Sequence, residues 1–249
     1  MTNISVDAIR GNDRAYTALH APRYALLLRL LSRYEVNAAT KILDIGVSRF
    51  TDLMREHFGA TVDTLGFAAD RAWDRGRHYQ FDLNRAQHRS DWRTDLPRYD
   101  VVVMAEVIEH LYTAPELVLA FIRTLVADGG LLVLQTPNAA SFTKRVKMLM
   151  GRNPYERIRL DNTDPGHFRE YTVRELMILT SGAGFRLEHR QLDFAFDARF
   201  APRGIVHDRV RPVLGTTKNV VYRSLPEFLR EGITMVLRAE PRPKGGAAA

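Results

Sequence analysis

The chain has 249 residues, 45% of them hydrophobic, enough for one sizeable core and a small appended lobe. It contains no cysteine, which excludes disulfides, thiolate metal sites and cysteine nucleophiles. Its net charge of +7, from 36 Lys and Arg against 29 Asp and Glu, suits an anionic partner or simply a soluble basic surface. No apolar run approaches the roughly 20 residues that span a bilayer, and residues 1–11 lack the basic-then-apolar order of a secretory signal, so a cytoplasmic protein is expected.

The first periodic segment covers residues 22–34, where Tyr24, Leu27, Leu28, Leu31 and Tyr34 recur at helical spacing. Residues 41–46 read as a short strand ending in a turn, and a helix over 52–58 is closed by Gly59. Strands are predicted at 61–65 and 78–81, the second running into Asp82-Leu-Asn84. The run Tyr99-Asp-Val-Val-Val-Met-Ala105 reads as a strand buried on both faces, as parallel sheets require. A helix over 116–126 has Pro115 suited to its first turn, and Gly129-Gly130 leads into a further buried strand over 130–135. A helix over 174–181, ended by Gly182 and Gly184, and late strands at 185–193 and 233–239 follow. Residues 241–249 read as a disordered tail.

This alternation predicts a three-layer α/β sandwich around a mostly parallel, seven-stranded sheet. Residues 1–39 form an N-terminal helical cap, 40–240 the domain proper, and 139–166 and 194–229 lid segments. The stretch 139–164 is long for a connection in a compact domain, which marks it as functional.

Glu106-Val-Ile-Glu-His110 is the most informative stretch. It directly follows the buried strand, at the carboxyl end where open α/β sheets place ligands. A helix starting there would project Glu106, Glu109 and His110, spaced i, i+3, i+4, toward one side. The plain structural alternative for Glu109 is an acid favoured by a helix N-terminus.

The order of elements over roughly 40–190 resembles the class I S-adenosylmethionine-dependent methyltransferases. Ile42-Leu-Asp-Ile-Gly46, Phe81-Asp82-Leu83, Glu106–His110 and Gly129-Gly130…Gln135-Thr-Pro-Asn138 carry the resemblance. It implies an S-adenosylmethionine site at Asp44, Gly46, Ser48 and Glu106. Asp82 would accept from the adenine amino group with the Leu83 backbone beside it. A glycine admits close backbone approach and an acid can hold an ammonium. Asp82 would otherwise be a turn-forming Asp. Ser48 and Phe50 stand where that family has further glycines, and Gly66-Phe67 where it has a ribose-binding acid, for which Asp63 or Asp70 could substitute.

Gly166-His-Phe-Arg-Glu-Tyr-Thr172, taken with Glu106-x-x-Glu109-His110, resembles the metal-dependent 2′-O-methyltransferases of small-RNA 3′ ends. That resemblance implies Mg²⁺ or Mn²⁺ on Glu106, Glu109, His110 and His167, a plausible mixed oxygen and nitrogen set. The same elements also resemble ubiquinone-type O-methyltransferases and enzymes acting on glycans and lipid-linked sugars. Without metal, His110, with Glu109 and His167 beside the acceptor, would serve as catalytic base. His167 is otherwise a hydrogen-bonded loop histidine. The reading is O-methylation of a glycan, lipid-linked sugar or isoprenoid-type small molecule. RNA, for which no binding module is recognisable, and a non-catalytic methyltransferase-like subunit are the alternatives.

Residues 141–151 set Phe142, Val146, Leu149 and Met150 near one face with Lys144, Arg145 and Lys147 nearby. That pattern suits a helix lying on an anionic inner-membrane face, or one packed on the core with solvated basic residues.

Overall fold

The computed structural model describes residues 16–67, 76–161, 165–193 and 211–242. Asp70, the beginning of the lid segment expected at 194–229, and almost all of the tail lie outside the described residues. The seven strands are β1 (Ile42–Ile45), β2 (Val62–Gly66), β3 (His78–Gln80), β4 (Tyr99–Ala105), β5 (Val126–Pro137), β6 (Phe185–Asp193) and β7 (Gly232–Ala239). They form one sheet in the order β3-β2-β1-β4-β5-β7-β6. β1 pairs in parallel with β2 and β4, and only β7, inserted between β5 and β6, runs antiparallel to its neighbours. The strand order reverses between β1 and β4, so their carboxyl ends flank the crevice that such a switch point opens.

β4 shows why the sheet is buried on both faces. Val101 and Val103 join one core cluster, whereas Val102 and Met104 join the other, as the two-residue strand period requires. The first face is covered by α1 (Tyr16–Arg33) and α2 (Arg49–Phe58), through Tyr24, Leu27, Leu31, Phe50 and Met54. The second is covered by α3 (Pro115–Leu125) and α5 (Val173–Gly182), through Leu119, Phe121, Ile122 and Leu176. α4 (Phe142–Leu149) follows β5, and α6 (Arg211–Ser224) lies before β7. α1 begins ahead of the expected position and runs through Pro22. β5 also starts early, at Val126, with a register shift against β4 that lets it absorb residues 127–130.

The turn between β1 and α2 explains the two missing glycines. Ser48 is extended and caps α2: its hydroxyl accepts from the Phe50 N–H at 3.1 Å. The Ser48 N–H in turn donates to Thr51 Oγ1 (3.2 Å), and the Thr51 hydroxyl donates to Asp44 (2.6 Å). Phe50 is buried and stacks on Tyr24 at 5.5 Å between ring centroids. A hydroxyl cap and an aromatic anchor thus hold a turn that glycines would otherwise leave loose. Ser48→Ala is expected to cost about 0.5–2 kcal/mol of folding stability, read as a lower urea midpoint at unchanged slope. An unchanged midpoint would show that the cap contributes nothing.

Candidate active site

At the carboxyl end of β1, Gly46 has φ +92, and a Cβ built there would meet nothing within 4 Å. Its N–H donates to Leu65 O at 2.8 Å, and a Cβ on Gly66 would lie 3.5 Å from the Gly46 Cα. Two bare stretches of backbone therefore meet at the crevice and leave its floor open to a ligand. Asp44 lies beneath this turn, buried, and burial pushes its carboxyl up to about 7 against the opposing Thr51 hydrogen bond and Arg55. Asp82 sits beyond β3, where Oδ1 accepts from both nitrogens of Asn84 (2.9 and 3.1 Å) while Oδ2 takes no part in these bonds. Leu83 beside it is buried.

Asp63 does not take the place of the absent ribose acid. It accepts from the Tyr99 hydroxyl (2.8 Å) and the Arg77 N–H (2.7 Å), and its position in β2 is paired with Leu43, short of the strand's carboxyl end.

No helix begins at Glu106. Glu106 has φ +57, a left-handed conformation that costs a non-glycine residue about 1–3 kcal/mol, and only a single tight turn over Ile108–His110 follows. The reversal directs the motif's side chains by a different route from the expected helix face. The Glu106 carboxylate lies 3.5 Å from Arg23 of α1. Burial raises its pKa, while Arg23, His110 and Lys144 oppose the shift. Glu109 is fully buried; Oε2 accepts from the Thr136 hydroxyl at 2.9 Å, and Oε1 has no hydrogen-bond partner. Burial, and next the neighbouring Glu106, push the Glu109 carboxyl up to about 8.

The segment bearing His167 is pinned to this turn by backbone. The Glu109 carbonyl accepts from the Phe168 and Arg169 N–H groups (2.8 and 3.3 Å). His110 Nδ1 lies 2.9 Å from the Gly166 carbonyl. A carbonyl only accepts, so Nδ1 carries a proton and donates it to Gly166 O. His167 Nδ1 lies 3.2 Å from Glu170 Oε1, which fixes the same tautomer. Burial, then His110, hold His167 down at about 4, so it is neutral at pH 7. The two rings meet edge to face at 4.7 Å. One ligand atom each from Glu109, His110 and His167 falls within 4.8 Å of the others. Glu106, expected as a fourth member, stands beside this group in its pair with Arg23 rather than in it.

Glu106, His110 and His167 line a cavity of about 560 Å³, with His20, Arg23, Lys144, Arg159, Glu170 and Glu231 among its other walls, whereas Glu109 is buried behind them. Reading the sequence left all of these other walls outside the site. The sequence puts Lys144 among basic residues of α4 that face either solvent or an anionic lipid surface. Lys144 instead turns inward, bonding Glu170 and the Asn138 carbonyl, and burial lowers its pKa to about 8. The signals were present but weak. Glu170 sits three residues after His167, and Arg23 interrupts an apolar face next to Tyr24.

A crevice at the switch point of the sheet, beside a polar cavity carrying acids and imidazoles, is where Rossmann-like α/β folds place their ligands. The sequence matches the methyltransferase domain family over residues 18–190, most of its length, and the chain belongs to that family. With its strand order, it is a class I S-adenosylmethionine-dependent methyltransferase. Among solved structures it is similar in fold to an S-adenosylmethionine-dependent methyltransferase from Archaeoglobus fulgidus (16% identity, TM-score 0.50, covering 93% of this chain and 96% of that one). Another, from Mesorhizobium loti, has 15% identity and TM-score 0.52, covering 88% and 97%. The 1,6-didemethyltoxoflavin-N1-methyltransferase of Burkholderia thailandensis, solved with its substrate and S-adenosylhomocysteine, has 17% identity and TM-score 0.52, covering 88% and 77%. No curated protein sequence matches the chain.

Proposed function

We propose that the protein methylates a hydroxyl of a small molecule, glycan or lipid-linked sugar, and that Glu109, His110 and His167 hold Mg²⁺ or Mn²⁺ beside that hydroxyl. The observation that carries this reading is the donor set itself. One carboxylate oxygen of Glu109 is buried without a hydrogen-bond partner, a ligand atom of Glu109 lies within 4.8 Å of one from each of His110 and His167, and the Nδ1 atoms of both imidazoles are engaged by a carbonyl and a carboxylate. Histidines oriented in this way by a carbonyl and a carboxylate are the usual partners of a metal. A dication would also offset the burial that raises Glu109.

S-adenosylmethionine, when bound, supplies an electrophilic methyl group, and a divalent ion, when bound, makes an acceptor hydroxyl more acidic. The chain supplies the remainder. Bare backbone at Gly46 and Gly66 would admit the cofactor, and Asp82, whose Oδ2 takes no part in the Asn84 bonds, would accept from its adenine amino group. Without an ion, the Nε2 lone pair of an imidazole here would be free to take the acceptor proton instead. The cavity walls, with Arg23 and Lys144 paired to acids, orient a polar acceptor.

Asp82→Ala is expected to weaken S-adenosylhomocysteine binding by about 1–3 kcal/mol, roughly fivefold to 150-fold in Kd, by calorimetric titration. Superimposable titrations would remove Asp82 from the site. The metal reading is tested by Mn²⁺ binding to cofactor-loaded protein, followed by electron paramagnetic resonance, with chelation abolishing methyl transfer. Methyl transfer indifferent to chelator would leave His110 as the base without an ion. The same donors suit a ribose 2′-hydroxyl, so short RNA with a free 3′ end belongs beside glycan and lipid acceptors in that assay.

A further inference from the structure

We propose that the strap running from Phe142 to Leu160, with the Phe228 turn beside it, is a docking surface for an anionic lipid bilayer. Single exposed apolar residues are ordinary, but a concentration of large ones on one segment is not. Met148, Leu149 and Met150 are 60%, 88% and 56% exposed, and Ile158 and Leu160 follow at 59% and 102%. The chain reverses at Gly151 (φ +69), where the Arg152 N–H returns to Lys147 O at 2.9 Å. Tyr155 then folds back on the start of α4: its hydroxyl donates to Ala139 O (3.2 Å), and Lys144 lies 6.0 Å from its ring. Arg145 similarly lies over Phe228, itself 60% exposed, at 5.9 Å. These contacts tie the strap at Tyr155 and the Phe228 turn to the first turns of α4.

The charge of the strap is one-sided. Arg145, Lys147, Arg152 and Arg157 are exposed, and Glu156, the single acid between Phe142 and Leu160, is held by Arg159 at 2.8 Å. Apolar tips ringed by cations on a short helix and strap fit the boundary between lipid headgroups and acyl chains, and fit negative headgroups in particular. The other side of this strap, through Ser141, Thr143, Lys144 and Arg159, lines the cavity, so docking would bring the cavity to the lipid surface. Docking does not depend on which acceptor is methylated, and none of the described helices is long and apolar enough to cross the membrane.

The test is flotation of the full chain with vesicles of phosphatidylcholine alone or mixed equally with phosphatidylglycerol. The protein should float with the anionic vesicles only and be released near 1 M salt, where the Debye length falls to about 3 Å. Lys147→Gln, Arg152→Gln and Arg157→Gln together should reduce partitioning roughly a hundredfold, at about fivefold per cation removed. Leu149→Ser with Leu160→Ser should reduce it at least tenfold at unchanged thermal midpoint, because both side chains are solvated in the free protein. Equal flotation with both vesicle types would overturn the proposal, as would none with either. So would a concentration-dependent dimer that the two Leu→Ser changes dissolve.

Discussion

His167→Ala is expected to lower turnover by about 10²- to 10⁴-fold, the range associated with losing a positioned proton-transfer group, and to abolish Mn²⁺ binding at the same time. S-adenosylhomocysteine affinity should stay unchanged, because the bonds that hold Gly46 and Asp82 run to Leu65 and Asn84 rather than to the ring. The geometry explains the coupling. His167 is neutral, its Nδ1 proton is committed to Glu170, and the residue belongs to the same ligand group as Glu109 and His110. Glu170→Gln supplies the graded control. It keeps the volume and a carbonyl oxygen for Nδ1 but loses the carboxylate that Lys144 and His167 share. Metal affinity should fall by about 10- to 100-fold, as when outer-shell partners of ligands are changed. Mn²⁺ restoring turnover in Glu170→Gln but not in His167→Ala would separate positioning from ligation. If His167→Ala bound Mn²⁺ as tightly as the wild type, the metal reading would fail.

The centre of the sheet was legible because β4 and the later part of β5 carry continuous apolar runs that a strand buried on both faces requires. β4 and β6 begin and end where the sequence predicted, and α2 closes on Gly59, whose φ of +66 meets the need for a left-handed residue. The turn over residues 106–110 was legible in composition but not in shape. The spacing of Glu106, Glu109 and His110 suggested a helix, and nothing local signals that Glu106 would adopt φ +57. That conformation is imposed from outside, by the Glu106 N–H donating to Gln135 O and by the 166–170 segment docking on the Glu109 carbonyl. Lys144 was misplaced for a related reason. A short helix with cations on several sides has no unique inner face until its partners are known, and those partners, Glu170 and Asn138, lie on other elements. Arg23 and Glu231 come from the two ends of the described chain and could be joined to the site only by the fold.

Glu109→Gln should make the metal-free protein more stable at pH 9 while eliminating methyl transfer. Glu109 has a folded pKa of about 8, raised by burial and by Glu106 above its ordinary value of 4.5. A raised folded pKa means that the native state binds the proton more tightly than the unfolded chain does. The stability it contributes is therefore complete below about pH 4.5 and lost as pH rises through about 8. Each pH unit between those two values costs about 1.4 kcal/mol, so a few kcal/mol separate the ends of the window. Gln cannot ionise and still offers an oxygen to the Thr136 hydroxyl. The variant should consequently show a flatter dependence of urea-unfolding free energy on pH, converging with the wild type near pH 4. Asp44, pushed to about 7 by burial, remains in both proteins and leaves a residual slope. Mg²⁺ or Mn²⁺ should restore the wild type at pH 9, by neutralising the carboxylate, and should leave Glu109→Gln unmoved. Parallel stability curves for the two proteins would show that Glu109 does not ionise within this window. The buried acid is thus a standing cost in the empty enzyme, one that a catalytic dication at this position would offset.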